Sequence, residues 1–200
     1  MRSENSRVLK VVVLISGGGS NLLALLKASA NPLYGIRIVA VGADKPAPGL
    51  EHAELFDVDT FVVEPGRFST REAWAEKLLS NVQHFEPDLV VLAGFMRILP
   101  ANFVDALAPK LINTHPSLLP KYPGAHAVAD ALAAGESETG VTIHYVDNGV
   151  DTGKPIVQQR VAIEPGDDET KLHERIKVVE RDLLVQTVGK IADGSLQLIH

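Results

Sequence analysis

The sequence predicts an α/β domain in which a mostly parallel sheet is covered by helices on both faces and carries a mixed edge. Three observations predict it. Short runs rich in β-branched residues alternate with stretches of helical period, as strands joined by helical crossovers do. The first run passes through Ser16-Gly17-Gly18-Gly19-Ser20-Asn21 straight into a leucine-rich segment, the pattern of a strand-to-helix turn. No internal repeat, low-complexity tract or long linker divides the chain, so one domain spanning 1–200 is expected.

Strands are expected over 8–15, 36–41, 60–63, 88–93, 110–114, 140–146 and 156–163, and helices over 21–29, 49–56, 70–85, 101–107 and 124–134. The first half therefore reads βαβαβα. The last helix has the clearest period: Leu172, Ile176, Val179 and Leu183 recur on one face, behind an acidic start at 167–169 that suits a helix N-terminus. It is expected to close the sheet at one side. Val141, Ile143 and Tyr145 alternate with Thr142, His144 and Val146 before the turn Asp147-Asn148-Gly149. The last two strands should then pair through a wide loop, which gives the mixed edge.

Composition narrows the partners. With no cysteine, disulfides, thiolate metal sites and a cysteine nucleophile are all excluded. A formal net charge of -6 disfavours nucleic acid, although a local basic patch could still hold one phosphate. No apolar run approaches the ~20 residues that a bilayer requires, so no membrane association is expected. The opening MRSENSR is polar and lacks the apolar core of a secretory signal. A cytoplasmic protein acting on small molecules is the simplest expectation, and the sequence leaves open whether it works as a homodimer.

The glycines of the first turn allow close approach to a ligand, and the following helix start offers free N–H groups and a positive dipole end to an anion. A phosphate fits that place. Leu22 stands where a dinucleotide fingerprint has its third glycine, and the turn has no Gly-Lys-Ser/Thr ending, so NAD and ATP lose weight. The alternative is a tight turn with Ser20 as N-cap.

The fifth strand runs into Asn113-Thr114-His115-Pro116-Ser117-Leu118-Leu119-Pro120-Lys121-Tyr122-Pro123-Gly124. Alternation places Asn113 and His115 on one face at the carboxyl end of a central strand, where open α/β sheets hold ligands. Acyl or formyl transfer to an amine needs a donor for the developing oxyanion, a proton source for the leaving nitrogen and an acceptor for the amine proton. The Asn113 amide supplies the first and a protonated His115 the second. Asp151, in Asp147-Asn148-Gly149-Val150-Asp151-Thr152-Gly153, supplies the third, directly or through a water, and a carboxylate near an imidazole favours its protonated form. No serine or cysteine sits in a nucleophile-elbow context, which favours direct transfer. The alternatives are a structural strand-end histidine and a turn aspartate.

Taken together, SGGGSN after the first strand, AGFMRIL after the fourth, NTHPSLLPKYPG after the fifth and DNGVDTG late in the chain resemble the phosphoribosylglycinamide formyltransferase family. These are folate-dependent enzymes of purine synthesis, and the resemblance covers essentially the whole chain. It implies a Rossmann-like formyltransferase fold, with a phosphate-binding half over about 1–100 and a folate and catalytic half over about 101–200. The implied reaction moves a formyl group from 10-formyltetrahydrofolate, a cosubstrate, to the amine of 5-phosphoribosylglycinamide in de novo purine (IMP) synthesis, with no metal. The implied catalytic set is Asn113, His115 and Asp151. Gly19, Ser20 and Asn21 are implied to hold the substrate phosphate, and Arg71 with Met96, Arg97, Ile98 and Leu99 to form the folate site. A flat pterin suits the apolar Phe95, Met96, Ile98 and Leu99. The alternatives are an exposed helix-start arginine and a buried loop that closes the core. His144 reads as structural first and as a partner of the site second. Lys154, where the family carries proline or a small residue, is a departure that bears on the folate-side loop.

Two related enzymes share parts of the pattern. Methionyl-tRNA formyltransferase resembles a longer chain with an added basic domain, whereas this chain ends at His200 after one helix and a short tail. Formyltetrahydrofolate deformylase resembles a chain with an added amino-terminal domain and a second histidine after the catalytic one, where this chain has Pro116. A non-catalytic nucleotide-sensing module would use the glycine loop alone and would not need Asn113, His115 and Asp151 together.

Overall fold

The computed structural model describes residues 8–199; the polar opening stretch weighed as a leader lies outside the described residues. Five parallel strands form the centre: β1 (Leu9–Ile15), β2 (Ile36–Ala43), β3 (Asp59–Val62), β4 (Leu89–Leu92) and β5 (Leu111–His115). Two more, β6 (Glu138–Tyr145) and β7 (Pro155–Ala162), follow antiparallel, giving the order β3-β2-β1-β4-β5-β6-β7. The expected mixed edge is present, and every expected strand and helix has a counterpart.

Alternation along β1 feeds two cores. Val11, Val13 and Ile15 point to one face, where they meet α1 (Ser20–Ser29), α2 (Gly49–Leu55) and α6 (Glu169–Ala192). Val12 and Leu14 point to the other, under α3 (Arg71–His84) and α4 (Ala101–Leu107). Both faces of β1 and β4 are buried because helices cover both sides, which is why these strands read as unbroken apolar runs. Each such side chain contributes about 1.5–3 kcal/mol. Trp74 anchors the second core: it is buried, stacks on Phe95, and donates its indole N–H to the Val63 carbonyl at 2.7 Å. The periodic face of α6 packs as expected, with Leu172, Ile176 and Leu183 buried.

The differences from expectation lie at element ends. Ser20 is not an N-cap; Gly19 takes that position with φ +69 and offers no side chain, so Ser20 is the first helical residue. The short helix α5 (Ala127–Ala133) starts three residues later than expected, because Gly124 at φ +89 keeps the chain in a turn. Caps did form at Thr70, whose hydroxyl accepts from Ala73 N–H, and at Asp168, which accepts from Lys171 N–H.

The chain after Lys154 is accommodated by a bulge. Ile143 pairs with Val157 but His144 pairs with Pro155, so Ile156 is an extra residue on β7. Lys154 itself returns to the ladder through its carbonyl, which accepts from Tyr145 N–H at 3.1 Å.

Sheet order places a switch point between β1 and β4, whose following loops diverge, and ligand crevices of open α/β sheets lie at such a point. Here the two loops are stitched together: Ser16 N–H donates to the Gly94 carbonyl at 3.1 Å, and Met96 N–H to Ser16 Oγ at 2.8 Å.

Candidate active site

Strand β5 sorts its side chains by face. Thr114 points to the α6 side and donates its hydroxyl to the buried Glu180 carboxylate at 2.9 Å. Asn113 and His115 point the other way, and antiparallel pairing sets His144 of β6 directly opposite Asn113. The loop after β6 then brings in Asp151. Asp147 shapes that loop, accepting from Gly149 N–H at 3.1 Å and from the Thr152 hydroxyl at 2.6 Å.

Asp151 meets three groups from β5 and β6 and one from the loop after β5. Its Oδ2 lies 3.3 Å from His115 Nδ1 and accepts from Gly124 N–H at 2.8 Å. Its Oδ1 accepts from Asn113 Nδ2 at 3.4 Å and lies 3.6 Å from His144 Nε2. The carboxylate is largely covered, with 14% of its side chain exposed, so these contacts act where water screens weakly. Stretches of chain nearly forty residues apart therefore share one cluster.

Hydrogen-bond partners assign the two imidazoles different states. His115 faces acceptors on both sides, the Tyr122 carbonyl at 2.8 Å from Nε2 and the Asp151 carboxylate at Nδ1. A ring with a proton on each nitrogen satisfies both, so the arrangement suits the imidazolium that a proton donor needs. His144 instead donates Nδ1–H to the Tyr145 carbonyl at 2.8 Å and accepts from Asn113 Nδ2 at 3.1 Å through Nε2. Burial pushes its titration below the usual histidine range, against the opposing pull of the Tyr145 carbonyl and Asp151. Burial and these partners thus favour the neutral form of His144, which orients the Asn113 amide.

That state has a consequence for acid stability. The unfolded chain takes up a proton at His144 near pH 6.5, while the folded site resists until lower pH. The contribution is complete above the unfolded value and is lost as pH falls through the folded one. Between about pH 8 and about pH 5.5, wild type should therefore lose more melting temperature than His144→Asn, which has nothing to titrate. Parallel melting curves for the two proteins would contradict this assignment.

The glycine turn lies open above. An added β-carbon at Gly17 or Gly18 would meet nothing within 4 Å. Gly19 is different: its β-carbon would sit 2.9 Å from Gly49 Cα, so the turn packs backbone to backbone on α2. The Gly17 carbonyl accepts from Gly49 N–H at 3.1 Å and the Gly18 carbonyl from His52 Nε2–H at 3.2 Å. With no side-chain cap, the first N–H groups of α1 lack a side-chain acceptor, Ser20 is exposed, and Asn21 is buried with an unpartnered Oδ1.

Arg71, Met96, Arg97 and Ile98 line one cleft of about 480 Å³ with Phe68 and Trp74. Met96 and Ile98 are 71% and 57% exposed, whereas Leu99 is turned into the core. Arg97 is held by a residue the sequence reading did not single out: Nε donates to Asp44 Oδ2 at 2.6 Å, and Asp44 is buried at the end of β2. Its position just after a strand, at the sheet end shared with the other sites, was the available signal. His144, Tyr122 and Gly124 were likewise underweighted, the last two because backbone atoms carry their contacts.

An open, mostly parallel sheet that gathers an amide, two imidazoles and a carboxylate at its carboxyl end, beside an open glycine turn, has the makings of an α/β group-transfer enzyme. The model of the formyl transferase family matches residues 9–188, and the chain belongs to that family. It is 45% identical over 199 residues to the phosphoribosylglycinamide formyltransferase of Mycobacterium tuberculosis, covering all of this chain and 92% of that one. The Escherichia coli phosphoribosylglycinamide formyltransferase is 39% identical over 191 residues, 95% of this chain and 90% of its own. Among solved structures, glycinamide ribonucleotide transformylase 1 from Symbiobacterium toebii superposes with a TM-score of 0.91 at 34% identity, covering 96% of this chain and 90% of that one.

Proposed function

We propose that this protein transfers the formyl group of 10-formyltetrahydrofolate to the amine of 5-phosphoribosylglycinamide, a step of de novo purine synthesis. Full-length similarity to enzymes of that name supports the reaction. The single observation that carries the residue assignment is that Asn113 and His115 each bring a nitrogen within 3.4 Å of the Asp151 carboxylate.

The amine attacks the formyl carbon, and negative charge develops on its oxygen. An Asn113 N–H answers that charge; of its two, the one on Asp151 is the longer, weaker bond and the easier to redirect. His115 gives a proton to the departing folate nitrogen, and Asp151 accepts the proton that the amine releases. The turn at Gly19, Ser20 and Asn21 takes the substrate phosphate, with the uncapped α1 dipole behind it. The Arg71–Ile98 cleft takes the folate, with apolar walls for its ring and guanidinium groups for its anionic end. In this reading the first half of the chain holds the phosphate and lines the folate cleft, the second carries the chemistry, and the work is cytoplasmic.

Acceptor choice tests the proposal. The protein is incubated with 10-formyltetrahydrofolate and either 5-phosphoribosylglycinamide, formyl-accepting tRNA or no acceptor. Formyl loss from the folate is expected only with the first. Equal loss without an acceptor would make it a deformylase, and turnover with tRNA would move the substrate assignment.

A further inference from the structure

The loop 116–126 touches the site twice through its backbone. Tyr122 presents its carbonyl to His115 Nε2 at 2.8 Å, and two residues later Gly124 presents its N–H to Asp151. Tyr122 does so from φ +54, a left-handed conformation that a bulky L residue keeps only where its surroundings over-determine it. The surroundings that do so are not in the reaction cluster. The Tyr122 hydroxyl donates to Glu136 Oε1 at 2.8 Å, and the same oxygen receives Lys121 Nζ at 2.8 Å. The Lys121 carbonyl is held in turn by the Ser117 hydroxyl at 2.6 Å.

Glu136 is well placed to be the fixed end. It lies in the turn between α5 and β6, where its N–H donates to the Ala131 carbonyl at 3.3 Å and the next residue's carbonyl receives Ile163 N–H at 3.0 Å. About three-quarters of its side chain is covered, whereas Lys121 is 62% exposed. Hydrogen bonds from Lys121 and Tyr122 hold its carboxyl below the usual range, and the same bond raises the Tyr122 phenol.

We propose that Glu136 is a positioning residue for formyl transfer: by gripping the Tyr122 hydroxyl and the Lys121 ammonium, it keeps the Tyr122 carbonyl on His115 and Gly124 N–H on Asp151. Without that grip, Tyr122 relaxes toward negative φ and its carbonyl rotates off the imidazole. Glu136 touches neither the imidazole nor the carboxylate, so it acts on turnover through geometry and leaves the binding surfaces alone. The proposal rests on the reading of His115 as the proton donor.

Steady-state kinetics on Glu136→Ala, Tyr122→Phe and the double variant, with wild type and His115→Ala as references, test it. Glu136→Ala and Tyr122→Phe should each lower kcat by about five- to twentyfold, the scale of a misdirected positioning contact. KM for both substrates and the dissociation constant of a folate analogue should stay within about twofold. The double variant should lose no more than about twofold beyond the worse single one, because both changes cut the same link. Unchanged kcat, a raised KM at unchanged kcat, or additive losses would each overturn the proposal. Should Glu136→Ala fail to fold, Tyr122→Phe and Glu136→Gln carry the same comparison. A wild type without transfer activity, or a fully active His115→Ala, would sink the underlying reading; an active wild type with a crippled His115→Ala and an unaffected Glu136→Ala would sink the positioning role alone.

Discussion

Replacing His115 with alanine is expected to lower kcat by at least ~10²-fold, the scale of a lost general acid, while the protein still folds. The imidazole sits at the end of β5, and the partners that hold it are polar, the Tyr122 carbonyl and the Asp151 carboxylate. What it leaves behind is local. Asp151 Oδ2 keeps its bond from Gly124 N–H, so only the Tyr122 carbonyl loses a partner. The chemistry has no such substitute: among the described residues the other imidazole, His144, has Nδ1–H committed to the Tyr145 carbonyl and Nε2 accepting from Asn113. Burial also disfavours its taking up the proton it would need to give. Steady-state turnover with circular-dichroism melting checks both halves of the expectation. Near-wild-type turnover from a folded variant would remove His115 from the mechanism.

The sheet was legible because its chemistry is periodic. β1 and β4 are apolar runs buried on both faces, and α6 repeats its buried stripe from Leu172 to Val188, so residue type alone locates them. Element ends were less legible, since they depend on single dihedral angles: Gly19 at φ +69 displaced Ser20 from the cap, and Gly124 at φ +89 shortened α5. The polar residues that converge were visible as types on strand ends, but the groups that hold them were not. Tyr122 and Gly124 contribute a carbonyl and an N–H, which every sequence position possesses. His144 looked structural because its strand alternates like any other, and only the cross-strand register reveals that it faces Asn113. Asp44 has no motif around it, and its meaning comes from Arg97, which arrives from a loop fifty-three residues further on.

Asp151 is the part of the cluster that no local pattern fixes, and Asp151→Asn is the substitution that isolates its charge. The residue lies at φ +54, where a β-carbon costs roughly 1–2 kcal/mol and only glycine, asparagine and aspartate are at ease. Alanine there would confound lost chemistry with backbone strain, but asparagine keeps the shape and the conformation. It does not keep the acceptors. Asp151 now accepts from Gly124 N–H on one oxygen and from Asn113 Nδ2 on the other, with His115 Nδ1 3.3 Å from the first. An amide offers one oxygen, and its NH₂ must then face a donor. The imidazolium form of His115 loses its counter-charge, and the attacking amine loses its proton acceptor. A fall in kcat of about 10²-fold or more is therefore expected, with little change in melting temperature or in KM for either substrate. Rapid-quench measurement of a single turnover separates this from slow product release, since the loss should persist in the chemical step. A kcat within about threefold of wild type would mean that the charge at Asp151 is not used, and that the cluster serves the fold of the loop instead.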